Sequence, residues 1–182
     1  MRILISGGRG QLGRSLEDAL AQHQVSALGH EELDITDAEA VAHALDKLRP
    51  ELVIHAAAWT DTAGCESNPE RAMLVNGEGA RHVAEACARA GAAMVYISSN
   101  EVFDGTGREP YREDDAPNPV NAYGRSKLEA EPRFCLNYVE PDDGILIVNQ
   151  QRRIRPNGGR EVAEDAVYFA AFFVFEVENF VV

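Results

Sequence analysis

Three glycines near the start of the chain, Gly7, Gly10 and Gly13, follow the apolar run Ile3 to Ile5, and a helical periodicity begins directly after them. A chain leaving a strand in a tight turn needs one residue free to take positive φ. Where its backbone must meet a ligand it needs one without a Cβ, and where the next helix packs on the sheet it needs another small one. The order strand, glycine turn, helix also leaves the first helical N–H groups and the positive end of the helix dipole facing outward, a ready site for an anion. The pattern predicts a pyrophosphate-containing dinucleotide held by Gly7, Gly10 and Gly13 and by the first helical turn, Gln11 and Leu12 included.

The next eighty residues repeat the alternation. A helix is expected from about Gln11 to Gln22 and a strand over Val25 to Leu28. Thr36 with Glu39 three residues on reads as a capping box, opening a helix with Val41, Ala44, Leu45 and Leu48 inward that stops at Pro50. Leu52 to Ala58 reads as a buried strand. Asn68 and Pro69 open a long helix that closes at Gly91, with Val75, Val83, Ala86 and Cys87 inward, and Ala93 to Ser98 is the next strand. Strands alternating with helices predict an α/β fold: a Rossmann-type doubly wound parallel sheet with helices on both faces, over residues 1–131. The Gly- and Pro-punctuated stretch from Asp104 to Asn121 is expected to be an active-site loop. A helix resumes at Tyr123, and Pro132 is expected to break it after little more than two turns. Residues 132–182 read as a divergent tail, with one strand at Gly144 to Val148 and an apolar segment from Val167.

Charge narrows the function. Thirty acidic residues against seventeen basic ones give a net charge of -13, which repels nucleic acid and anionic lipid, so any anionic cofactor depends on local donors. Cys65, Cys87 and Cys135 have neither disulfide-framework nor zinc-ligand spacing, and the expectation is a reduced, cytoplasmic protein without metal. The longest apolar run, Val167 to Phe175, is too short to span a bilayer, so no membrane is expected as a partner.

The cofactor's second phosphate position is less plain. The second strand ends at Gly29-His30-Glu31 without an unambiguous ribose-binding acid, and Arg9 is a candidate for a 2′-phosphate, which favours NADP(H) over NAD(H); a solvated surface arginine is its alternative. Asp34 is a candidate for the adenine edge, with an exposed turn aspartate as the alternative. Tyr123 and Lys127, four apart on a helix, share one face, where an ammonium would stabilise a phenolate and lower its pKa. Ser99 ends a strand at the edge where open α/β sheets bind ligands, and it can donate a hydrogen bond to a substrate carbonyl.

These motifs together resemble the extended short-chain dehydrogenases/reductases, and in particular the dTDP-4-dehydrorhamnose reductase family. The stretches that carry the resemblance are ISGGRGQLG (5–13), ELDITD (32–37), VIHAAAWTD (53–61), VNGEGARHVAEAC (75–87), MVYISSNEVFDG (94–105) and PYREDDAPNPVNAYGRSKLEAE (110–131). The resemblance implies hydride transfer from NAD(P)H to the C4 keto group of a dTDP-linked 4-keto-6-deoxy sugar, with Tyr123 as proton donor. It implies that Lys127 binds the nicotinamide ribose and tunes Tyr123, and that Ser99 positions the carbonyl. Asp34, Ile35, Ala56, Ala57 and Ala58 would line the cofactor. Asn76 matches an asparagine beside the site, with a structural hydrogen bond as its alternative reading. The nucleotide sugar is the expected substrate, and a homodimer is an assembly to test.

The chain departs from the family where Asn100 and Glu101 replace the usual Asp-Tyr, and where Thr62-Ala63 replaces a Val-Asp pair. After Glu131 the resemblance is expected to end, leaving too few residues for the family's smaller substrate domain, as in a truncated or frameshifted reading. Two other functions stay open: a dinucleotide-binding or regulatory module without turnover, and a sugar-nucleotide 4,6-dehydratase, to whose strand-end glutamate Glu101 corresponds.

Overall fold

The computed structural model describes residues 1–107, 111, 115–135 and 145–148, with the backbone alone for 131–135 and 145–148. Five strands, β1 (Arg2–Ser6), β2 (Gln24–Leu28), β3 (Leu52–His55), β4 (Ala93–Ile97) and β5 (Ile145–Val148), form one sheet in the order β2-β1-β3-β4-β5, every neighbouring pair parallel. The order reverses at β1: the chain steps outward to β2 and returns to the opposite side as β3. The crevice beyond the carboxyl ends of β1 and β3 is therefore the topological switch point, where open α/β sheets bind ligands.

Both sheet faces are covered, which is why the strands read as continuous apolar runs. On one face Leu4, Val53, Met94 and Tyr96 pack with Val41 and Leu45 of α2 (Ala38–Leu48), with Val83, Ala86 and Cys87 of α5 (Gly79–Ala90), and with Ala130 of α6 (Ala122–Cys135). On the other, Ile3, Ile5, Ile54, Val95 and Ile97 meet Leu16 of α1 (Gln11–Ala19) and Leu20 just beyond it. The doubly wound parallel sheet expected from the sequence is what forms.

Several local expectations give way. Asp37, not Thr36, caps α2, its carboxylate accepting from the Glu39 and Ala40 N–H groups, while Thr36 donates to Asp34 in an Asx turn. β3 stops at His55, and Ala56 to Ala58 are irregular rather than strand. A short helix, α3 (Thr62–Ser67), precedes the segment expected as one long helix. That segment is α4 (Pro69–Ala72), capped by Asn68, then a π-helical stretch from Met73 to Glu78, then α5, closed by Gly91 in the left-handed region. The break expected at Pro132 does not occur: α6 is helical through Cys135. Only the backbone bond from position 132 to the Leu128 carbonyl is forfeited there. The strand expected at Gly144 to Val148 forms as β5. The apolar segment expected from Val167 lies outside the described residues.

Candidate active site

The glycine turn sits at the switch point. Gly7 takes φ +77°, and a Cβ there would come within 2.7 Å of the Ala57 backbone; a Cβ on Gly13 would run into the Gly7 carbonyl and the Gly8 backbone. These two glycines are needed for β1, the Ala56-Ala57 segment and α1 to meet. Gly10 differs: its φ is -73°, and a Cβ would meet the Gly7 oxygen alone, at 3.2 Å. As N-cap of α1 it has no side chain with which to satisfy the first helical N–H groups, whereas α2, α3 and α4 are capped by Asp37, Asp61 and Asn68. The N–H groups of Gln11, Leu12 and Gly13 are those a helix cannot satisfy internally. An uncapped helix start behind a backbone cradle fits an anion such as a pyrophosphate.

The second group of residues gathers at the carboxyl end of β4. Ser99 is nearly buried; its Oγ accepts the Glu101 N–H at 3.2 Å, and its side chain is hydrogen-bonded to Tyr123. Lys127 is buried, with Nζ 4.2 Å from the Tyr96 ring centre and donating to the Ile97 carbonyl at 2.8 Å. The Ser99, Tyr123 and Lys127 named from the sequence thus converge at one strand end. The expected lowering of the Tyr123 phenol is not what results. Burial pushes its pKa up, the Ser99 hydrogen bond opposes this, and the charges of Cys65 and Glu101 add to the rise.

What holds this arrangement was mostly invisible as pattern. Asn121 Oδ1 accepts the Gly124 N–H (2.7 Å) and Glu66 Oε2 accepts the Ala122 N–H (2.8 Å), so both cap α6 beside Tyr123. Asn121 Nδ2 also donates to Glu101 Oε2 at 2.7 Å. A Cβ on Gly124 would strike the Glu101 carbonyl, so glycine at that position lets the short 3-10 turn Asn100–Val102 lie against α6. Asn76, in the π-helical stretch, is buried. It accepts from the Trp59 N–H (2.8 Å) and donates to the Trp59 carbonyl (3.1 Å) and to Ser126 Oγ (2.9 Å). Its structural alternative is the one observed. His55, buried behind the site, shares a 2.7 Å hydrogen bond with Ser6 and stacks on Tyr96; burial first, then the Lys127 charge, lowers its pKa to about 3. Asp104 collects Thr106, Tyr111 and Asn118, which ties the start of the expected loop to its far side and holds its carboxyl well below the usual range.

At the end of β2, Arg9 is no free surface arginine: its Nη2 and Nε reach the two oxygens of Glu32 at 2.6 and 3.2 Å. Glu32 stands one residue past the point where the sequence reading looked for an acid. The Asp34 carboxylate is occupied by Thr36, and the Ile35 side chain is in the core against Gly79, leaving only its backbone for a ligand. Among the described residues no helix is long and apolar enough to cross a membrane.

A glycine cradle with an uncapped helix start at the switch point of a doubly wound parallel sheet is the architecture of a Rossmann-type fold, here with Ser99, Tyr123 and Lys127 gathered at the end of β4. Residues 1–139 match the family described as RmlD substrate binding domain, so the match runs beyond Glu131, where the resemblance was expected to end. The chain is 45% identical over 148 residues to a dTDP-4-dehydrorhamnose reductase of Streptomyces griseus, covering 80% of this chain and 48% of that protein. It is 37% identical over 145 residues to methionine adenosyltransferase 2 subunit beta of Bos taurus (75% and 43%). The structure superposes on the dTDP-4-dehydrorhamnose reductase of Bacillus anthracis in complex with NADP, with a TM-score of 0.76, 34% identity and coverage of 81% and 52%. The chain belongs to the RmlD, or dTDP-4-dehydrorhamnose reductase, family, and it spans about half the length of the curated relatives it matches.

Proposed function

We propose that this chain is the dinucleotide-binding and catalytic half of an NADP(H)-dependent reductase acting on the 4-keto group of a dTDP-linked 4-keto-6-deoxy sugar. The observation that carries the reading is the convergence of Ser99, Tyr123 and Lys127 at the end of β4, on the sheet edge that also carries the glycine cradle. The Gly7–Gly13 turn and the start of α1 would hold a reduced nicotinamide dinucleotide, which when bound would supply hydride to the carbonyl carbon. Tyr123 gives its phenolic proton to the carbonyl oxygen, so ketone becomes alcohol and the phenolate left behind is reprotonated from solvent. Ser99 donates a hydrogen bond to the same oxygen, and Lys127 holds the nicotinamide ribose. Burial, which pushes the Tyr123 pKa up, favours the protonated phenol, the form that can donate. Arg9, at the β2 side of the turn, supports the choice of NADP(H) over NAD(H).

A second reading, dinucleotide binding without turnover, is favoured by the likeness to a protein named as a subunit of methionine adenosyltransferase. Following reduced-cofactor absorbance with NADPH and a dTDP-4-keto-6-deoxy sugar separates the two. Because the chain spans only about half of its relatives' length, the reductase reading expects feeble, impaired cofactor consumption that is lost in Tyr123→Phe. NADPH binding with no consumption in the unmodified chain supports the second reading and overturns the first.

A further inference from the structure

The Lys127 side chain is almost fully withdrawn from water, and a buried ammonium needs compensation where it lies. Two groups of β4 supply it. The Ile97 carbonyl accepts from Nζ at 2.8 Å, and the Tyr96 ring presents its face with the ring centre 4.2 Å from Nζ, a cation–π distance. Tyr96 also reaches the backbone of the same residue, its hydroxyl donating to the Lys127 carbonyl at 3.2 Å. One side chain of β4 thus grips Lys127 at both ends. Tyr96 is itself fully buried. His55, its register partner on β3, stacks on it with ring centres 5.8 Å apart and planes 14° apart, and shares a hydrogen bond with Ser6 at the end of β1. Burial, then the Lys127 charge, keep His55 neutral at ordinary pH, so this stack adds no second cation beside the ring.

We infer that Tyr96 is a positioning residue for Lys127, its ring face fixing where the ammonium stands for the ribose on the nicotinamide side of the dinucleotide. The inference rests on the dinucleotide reading above. Lysine has a flexible four-carbon stem, and an ammonium already held in place loses less freedom when a hydroxyl ligand arrives. Filling the core is the other reason for a buried aromatic at this position. That role depends on the shape of the ring, whereas holding an ammonium depends on the negative potential of its face. Fluorination cancels that potential and changes the shape little, so the two roles are separable.

The test is calorimetric titration of the full chain with NADPH and, separately, with ADP, which keeps a pyrophosphate but lacks the nicotinamide ribose. Tyr96→Phe is compared with a trifluorinated phenylalanine at position 96, each with Lys127 present and each combined with Lys127→Met. Fluorination is expected to weaken NADPH binding about tenfold relative to Tyr96→Phe and to leave ADP binding unchanged. The difference should vanish in the Lys127→Met pair. Equal NADPH affinity in the two ring variants, or a loss that persists in Lys127→Met or falls equally on ADP, overturns the role of Tyr96 and leaves the dinucleotide site standing. Failure of the unmodified chain to bind NADPH and ADP overturns both.

Discussion

Tyr123 and His55 show how burial sets protonation at single residues. For Tyr123, burial, Cys65 and Glu101 raise the phenol while Ser99 lowers it, so Glu101→Gln should move its ionisation to lower pH and Ser99→Ala to higher pH. Ultraviolet titration of the phenolate, with Tyr123→Phe subtracted to isolate this tyrosine, reads both shifts, and an upward move in Glu101→Gln would contradict the geometry. His55 is the opposite case, a base whose folded pKa of about 3 lies below its ordinary value of 6.5. The unfolded chain binds the proton first, so the stability tied to neutral His55 is complete above pH 6.5 and is lost as pH falls toward 3. The size is on the order of a few kcal/mol. Urea unfolding at pH 7 and pH 4 should show a smaller acid loss in His55→Gln than in the unmodified chain.

Elements are joined at the site by a few polar residues and close contacts. Asn76 ties the π-helical stretch to the Trp59 backbone and to Ser126 on α6. Asn76→Ala leaves the partly buried Trp59 N–H without its partner and should cost about 1–3 kcal/mol in chemical denaturation. A loss within about 0.5 kcal/mol would mean the bridge carries little, as for an ordinary surface change. Apolar periodicity and helix punctuation made the strands and most helices readable, because burial on both sheet faces writes itself into Ile3 to Ile5, Leu52 to Ile54 and Ala93 to Ile97. The glycine turn and the Ser99, Tyr123 and Lys127 cluster were readable for a similar reason: their spacing is local. Glu32, Glu66 and Asn121 were missed as site residues because their partners Arg9, Ala122 and Glu101 are fixed by tertiary approach, 20 or more residues away in each case. The π-helical stretch left no mark on the periodicity around Asn76, and Pro132 misled because a helix can lose one bond and continue.

At the scale of the whole molecule, a chain of net charge -13 attracts no anion by its overall field, so the proposed dinucleotide binding depends on the N–H groups at the start of α1 and on local cations such as Arg9. The three glycines of the turn allow this to be tested without unfolding the protein. Side chains at Gly7 or Gly13 would collide with backbone, but Gly10 has ordinary φ and one modest contact. Gly10→Val should therefore keep its melting temperature within a few degrees of the unmodified chain while blocking the approach of a pyrophosphate to the start of α1. Calorimetric titration of NADPH into the unmodified chain and into Gly10→Val is the most direct measurement: binding to the first and at least a roughly hundredfold loss in the second, equivalent to about 2.7 kcal/mol, is the predicted result, and equal binding to both would contradict the site.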